Sequence, residues 1–430
     1  MLARTNRSFS LITFLFCLLI FSVPVFWALR GNNPQGFSLI ENRNLQQFNP
    51  KDYAFSRVVG SLLRKNFASA RESFRGLFTD RSDQVSIEQA ASDQFPLRID
   101  MIKAARALDR AFIDLAYFSA SDPAIPTDMH SEFLVLPDDS AIIFAPARYD
   151  TAVQTQIDQR IENYRTLIAQ YPRINFYAYH MDRLPYSPLN PLNPQVPHAD
   201  AGRSLAYFEQ HLPTGLSFAK MDLQSLDEHL QYYYRTDHHW NIHGIILAYN
   251  QIYDLLKQKY PDISPRLVLA QVVSFPGADF LGRTAAISFY PIAPDQFEGI
   301  LVDLPPYRIF ESGTEITAVF NLSQNYHAGD YSTEPYYYHY GKYFGTISGF
   351  VEYVSANSST RNLMLLGDSN KEPLHALLAA HYRRTYMINM REYPGDFNLV
   401  DFLADHPVDD ILVVGDNHIL FMDPYSAIDP

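Results

Sequence analysis

The sequence is nearly free of cysteine. Its 430 residues include 1 cysteine, Cys17, so the chain cannot form an internal disulfide. Small secreted domains usually need disulfides, whereas a large domain with an adequate core does not. Cys17 lies in the middle of an apolar run, and a lipidation signal would place the cysteine at the end of such a run. The chain must therefore be stabilised by a buried core.

Basic residues are also few. Lys and Arg number 34 against 47 Asp and Glu, the formal net charge is −13, and no basic stripe occurs beyond the extreme N-terminus. Phosphate binding needs clustered Lys and Arg, so this charge balance excludes a nucleic-acid partner. Hydrophobic residues make up 47% and charged residues 19%, which allows a sizeable core and excludes global disorder. The length predicts two or three domains.

Long apolar runs are absent after the N-terminus. The one such run is uncharged from Phe9 to Leu29, with Arg4 and Arg7 before it and Arg30 after it. At about 1.5 Å per residue it spans the hydrocarbon core of a bilayer, and the preceding arginines favour an N-terminus inside the cell. It is longer than a typical signal-peptide core, and no small-x-small cleavage site follows it. We expect an uncleaved signal anchor, with a cleaved signal peptide as the alternative. Both leave the remaining chain outside the cytoplasm.

The pattern along the chain predicts three regions. Residues 1–30 form a cytoplasmic tip and the transmembrane anchor, residues 31–130 a helical linker region, and residues 131–430 a folded domain with an irregular, β-rich insertion at about 262–345. Within the folded domain, helical patterns alternate with strand patterns at about 174–179, 217–221, 362–366, 385–390 and 410–414. Strands that alternate with helices pair in parallel. The expected class is α/β, with three αβα layers around a parallel central sheet.

Gly367-Asp368-Ser369 follows one of these strands and precedes a helical pattern. Functional groups in parallel sheets lie at the carboxyl ends of strands. A serine at such a turn has an exposed hydroxyl, and the backbone N–H groups of the next helical turn can face a developing oxyanion. The tripeptide fits a plain helix N-cap equally well, because Asp or Ser satisfies free backbone N–H groups there. This motif alone leaves both interpretations open.

Thr236-Asp237-His238-His239-Trp240 supplies the groups that a serine nucleophile needs. A serine hydroxyl requires a base, and the base works best when a carboxylate fixes its tautomer. Asp237 and His239 are two residues apart, so both face the same side of an extended segment. Asp237 can then orient Nδ1 of His239 while Nε2 reaches Ser369.

Three alternatives remain open for this cluster. The first is a metal site with four candidate ligands: Asp237, His238, His239 and His243. Against it, Trp240 stands where zinc proteases carry a glutamate. The second is a structural His-rich turn. The third takes the base from Asp416-Asn417-His418, after the last predicted strand.

The chain resembles the DHHW family, and also the SGNH-like domains of alginate O-acetyltransferases and, more distantly, the D-alanyl transfer protein of teichoic acid modification. Four segments carry the resemblance in order: Glu41-Asn42-Arg43-Asn44-Leu45, Asp93-Gln94-Phe95-Pro96-Leu97-Arg98, Asp237-His238-His239-Trp240 and Leu366-Gly367-Asp368-Ser369. They cover most of the chain after the anchor, and the tetrad with a later Gly-Asp-Ser is the most specific part. The resemblance implies an SGNH-hydrolase-like fold.

The resemblance also implies a role for individual residues. Ser369 becomes the nucleophile, His239 the general base, and Asp237 the group that orients His239. The order Asp-His-Ser departs from ordinary SGNH enzymes, in which the Asp-x-x-His pair follows the serine. Asn370 stands where relatives often have an aromatic residue.

Further site residues are expected around this triad. The backbone N–H of Asn370 is the expected oxyanion donor, with Asn417 as a second candidate. Trp240 and Tyr393 are candidate substrate contacts. No metal and no cofactor are expected.

The implied activity concerns O-linked acyl groups, above all acetyl, on cell-surface or secreted polysaccharide. The protein is expected to be an O-acetyltransferase or a carbohydrate esterase, anchored in the cell membrane by one pass, with its catalytic domain extracytoplasmic. A multipass membrane acyltransferase is the expected partner. The alternative is a non-catalytic surface-glycan assembly or binding protein of the same fold, against which the intact Asp-His-Ser set argues.

Overall fold

The computed structural model describes residues 36–38, 43–46, 93, 98–119, 133–136, 139–269, 271–316, 331–345, 348–393, 395 and 397–420. The predicted anchor at Phe9–Leu29 lies outside these residues. Among the residues described, no helix has both the length and the apolar character needed to cross a bilayer. The chain divides into two compact units, residues 1–108 and 109–430.

In the first unit, an ion pair joins two of the segments that carry the family resemblance. Strands β1 (Phe37–Ser38) and β2 (Arg43–Asn44) pair antiparallel. Arg43 donates to both carboxylate oxygens of Asp93, at 2.8 Å from Nη1 and 2.6 Å from Nη2, and the N–H of Gln46 donates to Oδ2 at 2.9 Å. Asp93 is buried, and a bidentate arginine offsets the cost of burying a carboxylate. Helix α1 (Arg98–Ser119) follows along the chain.

The second unit is built on strands that the sequence pattern located closely. Its strands are β3 (Phe133–Val135), β4 (Ile142–Phe144), β5 (Asn175–His180), β6 (Leu216–Lys220), β7 (Gln271–Phe280), β8 (Asp295–Leu301), β9 (Tyr307–Glu311), β10 (Thr314–Ile316), β11 (Phe350–Ser355), β12 (Asn362–Gly367), β13 (Arg384–Ile388) and β14 (Asp410–Gly415). Eight of them form one sheet in the order β10-β9-β11-β13-β12-β14-β5-β6, while β3 pairs with β4 and β7 with β8. The predicted α/β class is confirmed.

The central sheet is parallel in one part and antiparallel in the other. β13, β12, β14, β5 and β6 pair in parallel, as expected of strands joined through helices. β11, β9 and β10 extend the β13 edge with antiparallel pairing. The two residues between β9 and β10, Ser312 and Gly313, have φ angles of 47° and 82°. Such a turn makes a tight hairpin, which is antiparallel by geometry. Part of the predicted insertion at about 262–345 therefore belongs to the main sheet.

Helices cover both faces of this sheet. They are α2 (Thr151–Gln170), α3 (Arg203–Gln210), α4 (Leu226–Tyr232), α5 (Ile242–Lys257), α6 (Arg283–Ser288), α7 (His339–Phe344), α8 (His375–Ala379) and α9 (Leu399–Asp405). Successive strand residues point to opposite faces. Leu363 and Leu365 of β12 pack in one buried cluster with residues of α5 and α8, whereas Met364 and Leu366 pack in a second with residues of α2 and α9. The sheet is thus the middle of three layers.

Candidate active site

The loop between α4 and α5 carries the Asp-His-His-Trp tetrad. An antiparallel bridge joins Tyr233 to Trp240, and the N–H of Tyr234 donates to the carbonyl of His239 at 3.2 Å. These contacts close the loop into a compact turn. The side chain of Trp240 has no exposed surface and packs in the first buried cluster. It anchors the loop from within the core, and this packing accounts for the residue without a substrate; a substrate contact of Trp240 stays a prediction.

A buried carboxylate fixes the backbone of this loop. Oδ2 of Asp295 accepts from the N–H and the hydroxyl of Thr236 at 2.9 and 2.6 Å, and Oδ1 accepts from the N–H of Arg235 at 3.1 Å. The hydroxyl of Thr236 accepts in turn from the N–H of Gly282 at 3.0 Å. A Cβ on Gly282 would lie 2.2 Å from Cβ of Asp237 and 2.3 Å from its Oδ2. Position 282 therefore has room only for glycine.

Three side chains from the two motifs form one hydrogen-bonded series. Nδ1 of His239 lies 2.5 Å from Oδ1 of Asp237, and Nε2 lies 2.9 Å from Oγ of Ser369. Oδ1 of Asp237 also accepts the N–H of His239 at 2.9 Å, and Oδ2 accepts the N–H of Arg283 at 2.5 Å. Ser369 and His239 are 130 residues apart in the sequence. The structure brings together the three residues to which the resemblance assigns one site.

Charge and burial set the protonation of this series. Burial by itself raises the pKa of Asp237, but His239 and His238 and the hydrogen bonds to the carboxylate lower it more, so the pKa falls well below its usual range. The carboxylate is therefore ionised. It accepts from Nδ1–H of His239, which leaves the lone pair of Nε2 directed at Ser369. Burial, and then His239, lower the pKa of His238 well below its usual value. Nδ1 of His238 lies 3.6 Å from Asp237, too far for a hydrogen bond.

Ser369 begins a 3₁₀ turn, Ser369–Leu374, directly after β12. Gly367 has a φ of 156°, and a Cβ there would lie 2.3 Å from the carbonyl oxygen of Val414 on the neighbouring β14. Oδ1 of Asp368 accepts the N–H of Asn370 at 2.9 Å, which is a helix N-cap. The N-cap interpretation of the tripeptide is therefore confirmed, and it leaves the interpretation of Ser369 as a nucleophile open. Asp368 is the cap, and the hydroxyl of Ser369 is left for His239.

The two predicted oxyanion donors differ in availability. The cap engages the N–H of Asn370, so an oxyanion would have to compete with Asp368 for it, and its role as oxyanion donor stays a prediction. Asn417 follows β14 and is buried, and its Oδ1 lies 2.8 Å from Nε2 of His180. Within the part of the chain that the structure describes, Nδ2 of Asn417 has no hydrogen-bond partner. β12 and β14 are adjacent parallel strands, so Asn417 and Ser369 follow neighbouring strands at the same sheet edge.

Tyr393, the other candidate substrate contact, lies against the second buried cluster. Its ring is half-buried, with centroids 6.3 Å from Phe350 and 5.1 Å from Phe397. This packing accounts for the residue without a substrate. A substrate contact of Tyr393 stays a prediction.

Three groups of the tetrad lie close enough to hold a metal ion. One ligand atom each from Asp237, His238 and His239 lies within 4.8 Å of the others. The fourth candidate, His243, is exposed on α5, with Nε2 3.3 Å from Oε2 of Glu298. The hydrogen bond from Nδ1 of His239 to Oδ1 of Asp237 occupies two of the atoms that could serve as metal ligands.

The alternative base is arranged differently. Nε2 of His418 lies 3.8 Å from Oδ1 of Asp416, and Asp416 is paired with Arg183 at 2.7 Å. The hydroxyl of Ser369 contacts His239 instead. The geometry favours His239 over His418 as the base.

Sequence analysis missed four residues that shape the site: His180, Gly282, Asp295 and Tyr340. The ring of Tyr340 stacks on His239 with centroids 4.2 Å apart. Each of the four comes from an element distant in the sequence, and no local spacing marks it. The position of His180 directly after a predicted strand was the one usable signal.

Solved structures share this fold. PatB1 from Bacillus cereus, solved with a sulfonyl adduct, superposes with a TM-score of 0.53 at 19% identity, over 68% of this chain and 98% of that chain. A DHHW family protein from Eubacterium siraeum gives a TM-score of 0.50 at 15% identity, over 67% and 91%. The O-acetyltransferase domain of Pseudomonas putida AlgJ is more distant, with a TM-score of 0.35 at 12% identity over 68% of this chain and 92% of that chain. No protein-family model and no curated protein matches the sequence. The resemblance to the DHHW family is confirmed at the level of the fold.

Proposed function

We propose that this chain is a serine-dependent O-acyltransferase or esterase that acts on acetyl esters of polysaccharide outside the cytoplasm. The observation that carries the proposal is the series Asp237–His239–Ser369, in which Nε2 of the histidine lies 2.9 Å from the serine hydroxyl. A serine hydroxyl is a weak nucleophile until a positioned base takes its proton. The site offers such a base, with an ionised carboxylate behind it.

The reaction follows from these positions. Nε2 of His239 takes the hydroxyl proton of Ser369 while Oγ bonds to the carbonyl carbon of the acyl donor, and the carbonyl oxygen becomes an oxyanion. The bond from that carbon to the leaving oxygen then breaks, and the leaving oxygen takes the proton from His239. In the second half, an acceptor hydroxyl gives its proton to His239 and attacks the carbonyl carbon of the acyl-serine. The bond from that carbon to Oγ then breaks, and Oγ of Ser369 takes the proton back from His239. A sugar hydroxyl as acceptor makes a transferase, and water makes an esterase.

Asn417 is the proposed oxyanion donor. Its side-chain Nδ2 is buried and unpartnered in the described part of the chain. A preorganised, desolvated donor stabilises charge that develops in the transition state, and removing one typically costs about 100-fold to 1,000-fold in kcat.

Location and partners are part of the same proposal. The apolar run Phe9–Leu29, with arginines before it, supports a single-pass anchor in the cell membrane and a site outside the cytoplasm. Acyl groups used there must cross the membrane, so we propose a multipass membrane acyltransferase as partner and a polysaccharide as acceptor. The PatB1 structure with its sulfonyl adduct supports the covalent step, since such an adduct needs a reactive nucleophile.

The deciding experiment measures where the acetyl group goes. Full-length protein is given a chromogenic acetyl ester with or without xylan-like or alginate-like polysaccharide. Chromophore, free acetate and acetylated polysaccharide are then quantified. We expect chromophore release that survives EDTA and that Asp237→Asn slows about 10,000-fold, because the tautomer of His239 is then no longer fixed. The exposed Asp405→Asn is the control.

Each outcome of this experiment supports a different function. Acetylated polysaccharide identifies a transferase, and acetate alone identifies an esterase. Loss of activity with EDTA, together with one bound metal ion per chain, would replace the triad by a metal site. A folded protein that binds polysaccharide but releases no chromophore would support the alternative, a non-catalytic surface-glycan assembly or binding protein.

The proposed topology has its own test. Alkaline phosphatase fused after Gly60 should be active, because this reporter folds only outside the cytoplasm. A matched fusion to a reporter that works only in the cytoplasm should be silent, and a signal from it would contradict the extracytoplasmic location.

A further inference from the structure

The side chain of Asn417 is held by a histidine that the proposed chemistry does not use. His180 is the last residue of β5, and β5 pairs in parallel with β14, with His180 opposite Gly415. Asn417 and His180 are 1% and 2% exposed. Oδ1 of Asn417 lies 2.8 Å from Nε2 of His180. This contact is buried, and Asn417 reaches it from two residues beyond the paired end of β14.

The chemistry of this contact assigns an orientation to the amide. A carbonyl oxygen only accepts hydrogen bonds, so Nε2 of His180 must donate. Burial lowers the pKa of His180 more than its hydrogen bond to Asn417 and the charge of Asp416 raise it. The imidazole is therefore neutral, with its proton on Nε2. With Oδ1 held by His180, the two N–H groups of Nδ2 point away from it.

The opposite amide orientation would harm the proposed reaction. A flipped Asn417 would present its carbonyl oxygen where the N–H groups now lie, and an acceptor oxygen there would repel an oxyanion. The two orientations have nearly the same shape, so packing alone does not choose between them. A hydrogen-bond donor on one side, here Nε2–H of His180, selects the orientation that places Oδ1 of Asn417 next to it.

A residue that follows β5 also holds the backbone of the turn that contains Asn417. Arg183, three residues after His180, pairs with Oδ2 of Asp416 at 2.7 Å. Oδ1 of Asp416 accepts the N–H of His418 at 2.9 Å and so caps the 3₁₀ turn that contains Asn417. The carboxyl end of β5 thus supports both the backbone and the side chain of Asn417.

We propose that His180 is a positioning residue, which keeps the amide of Asn417 turned so that Nδ2 donates to the oxyanion. This inference rests on the proposed function. A positioning residue acts through its partner, so its loss should lower kcat and leave KM nearly unchanged.

The test compares variants of the full-length protein in acylation by a chromogenic acetyl ester, read by chromophore release and by the mass of the acetylated chain. Asn417→Ala should lower kcat about 100-fold to 1,000-fold. His180→Leu should lower it roughly 10-fold to 100-fold, the usual cost of losing a group that orients a functional ligand. His180→Gln should recover most of the loss, because its amide N–H can donate to Oδ1. KM should stay within about twofold in all of them.

The double variant decides the mechanism. If His180 acts through Asn417, then His180→Leu should cost almost nothing further in the Asn417→Ala background. The matched control is His381→Leu, a buried histidine that lies before β13, at the opposite end of the sheet strands. Its kcat should equal that of the wild type. Thermal unfolding of each variant separates lost catalysis from lost structure.

Several outcomes overturn the inference. It fails if His180→Leu keeps wild-type kcat, if its cost is fully additive with Asn417→Ala, or if His180→Gln is no better than His180→Leu. Failure of the proposed function has a different signature, because Ser369→Ala would then keep its full rate of acylation.

Discussion

Two turns of this protein have the same local design and different chemistry. β12 ends in Gly367-Asp368-Ser369 and β14 ends in Gly415-Asp416-Asn417, each followed by a 3₁₀ turn. In each, the aspartate accepts the N–H two residues on at 2.9 Å. In each, the third residue contacts Nε2 of a histidine from another element, at 2.9 Å for Ser369 with His239 and at 2.8 Å for Asn417 with His180.

The two turns differ in what contacts Nδ1 of each histidine. His239 is backed by the ionised carboxylate of Asp237, whereas within the described residues the far nitrogen of His180 has no partner. A carboxylate that fixes Nδ1–H leaves Nε2 free to take a proton, and a histidine without one keeps its proton on the nitrogen that serves its neighbour. The same backbone turn thus presents the proposed nucleophile in one place and the proposed oxyanion donor in the other.

The capping aspartates also differ. Asp368 is half-buried and holds the side-chain amide of Asn370 at 3.0 Å. Asp416 is fully buried; burial raises its pKa, but His418 and Arg183 lower it more, to about 2. The Asn417 turn is therefore the more firmly held of the two. A partly buried ion pair with Arg183 and a buried hydrogen bond to His180 fix it.

The largest expected effect comes from removing the hydroxyl of Ser369, the proposed nucleophile. A fluorophosphonate probe should label the full-length wild-type protein, and Ser369→Ala should abolish the label completely, because no other hydroxyl contacts His239 among the residues described. Ser358→Ala changes an exposed serine and should leave labelling intact. The measurement is in-gel fluorescence with mapping of the labelled peptide. A label that survives Ser369→Ala would remove Ser369 from the proposed reaction.

The next effect separates the two adjacent histidines. His239→Ala should lower the labelling rate by a factor on the order of a million, the scale measured for loss of the histidine in a serine protease triad. His238→Ala should lower it by roughly tenfold at most, since His238 approaches only the carboxylate, at 3.6 Å. Labelling kinetics at fixed probe concentration give both values. The reverse order of effects would move the base to His238.

A smaller effect is expected when the Asp237 carboxylate is displaced while the residue itself is kept. Gly282→Ala adds a Cβ that would lie 2.2 Å from Asp237, so the carboxylate or the loop must shift. Misplacement by about 1 Å costs on the order of 100-fold, and kcat should fall by that factor while the protein stays folded. Ester hydrolysis and thermal unfolding, measured together, check this. Wild-type kcat would show that the loop yields without moving Asp237.

The smallest expected effect concerns the turn with Asn417. It is a change in how the free energy of unfolding depends on pH, through His180. Burial lowers the folded-state pKa of His180, with Asp416, Lys220 and Glu209 as the charged groups that also act on it. A base with a lowered folded pKa contributes stability that is fully present above its unfolded pKa of about 6.5 and is lost as pH falls below it.

Urea unfolding of wild type and His180→Gln between pH 7.5 and pH 5 measures this loss. The free energy of unfolding should fall less steeply in the variant, by up to about 1.4 kcal/mol per pH unit. Equal slopes would mean that His180 is not neutral in the folded protein. Glu209→Gln, which leaves His180 in place, should keep the wild-type slope to a first approximation.

Much of the fold followed from patterns that act over a few residues. The strand predicted at 410–414 is Asp410–Gly415, and the strand predicted at 362–366 is Asn362–Gly367. These elements were predictable because apolar periodicity and capping residues are local. The antiparallel strands β9 to β11 were not assigned to the main sheet, because joining an edge depends on contacts with β13 that no short window contains.

Among the site residues, burial and existing hydrogen bonds are properties that the sequence does not display. Trp240 belongs to the most diagnostic motif, yet it lies wholly in the core. The N–H of Asn370 stands next to the nucleophile in sequence, yet Asp368 already binds it. Sequence proximity does not show which polar group is already satisfied, and an unsatisfied donor is what an oxyanion needs.

The sequence by itself determined the order of strands and helices and the residue types in three turns: a serine after β12, an asparagine after β14, and, between α4 and α5, an aspartate two residues before a histidine. The tertiary structure alone decided which of these meet. β14 lies between β12 and β5 in the sheet, so the turn with Asn417 stands beside Ser369 on one side and His180 on the other. Strand order and burial arise from contacts across more than a hundred residues. Those contacts, rather than any local spacing, bring His239 to Ser369 and His180 to Asn417.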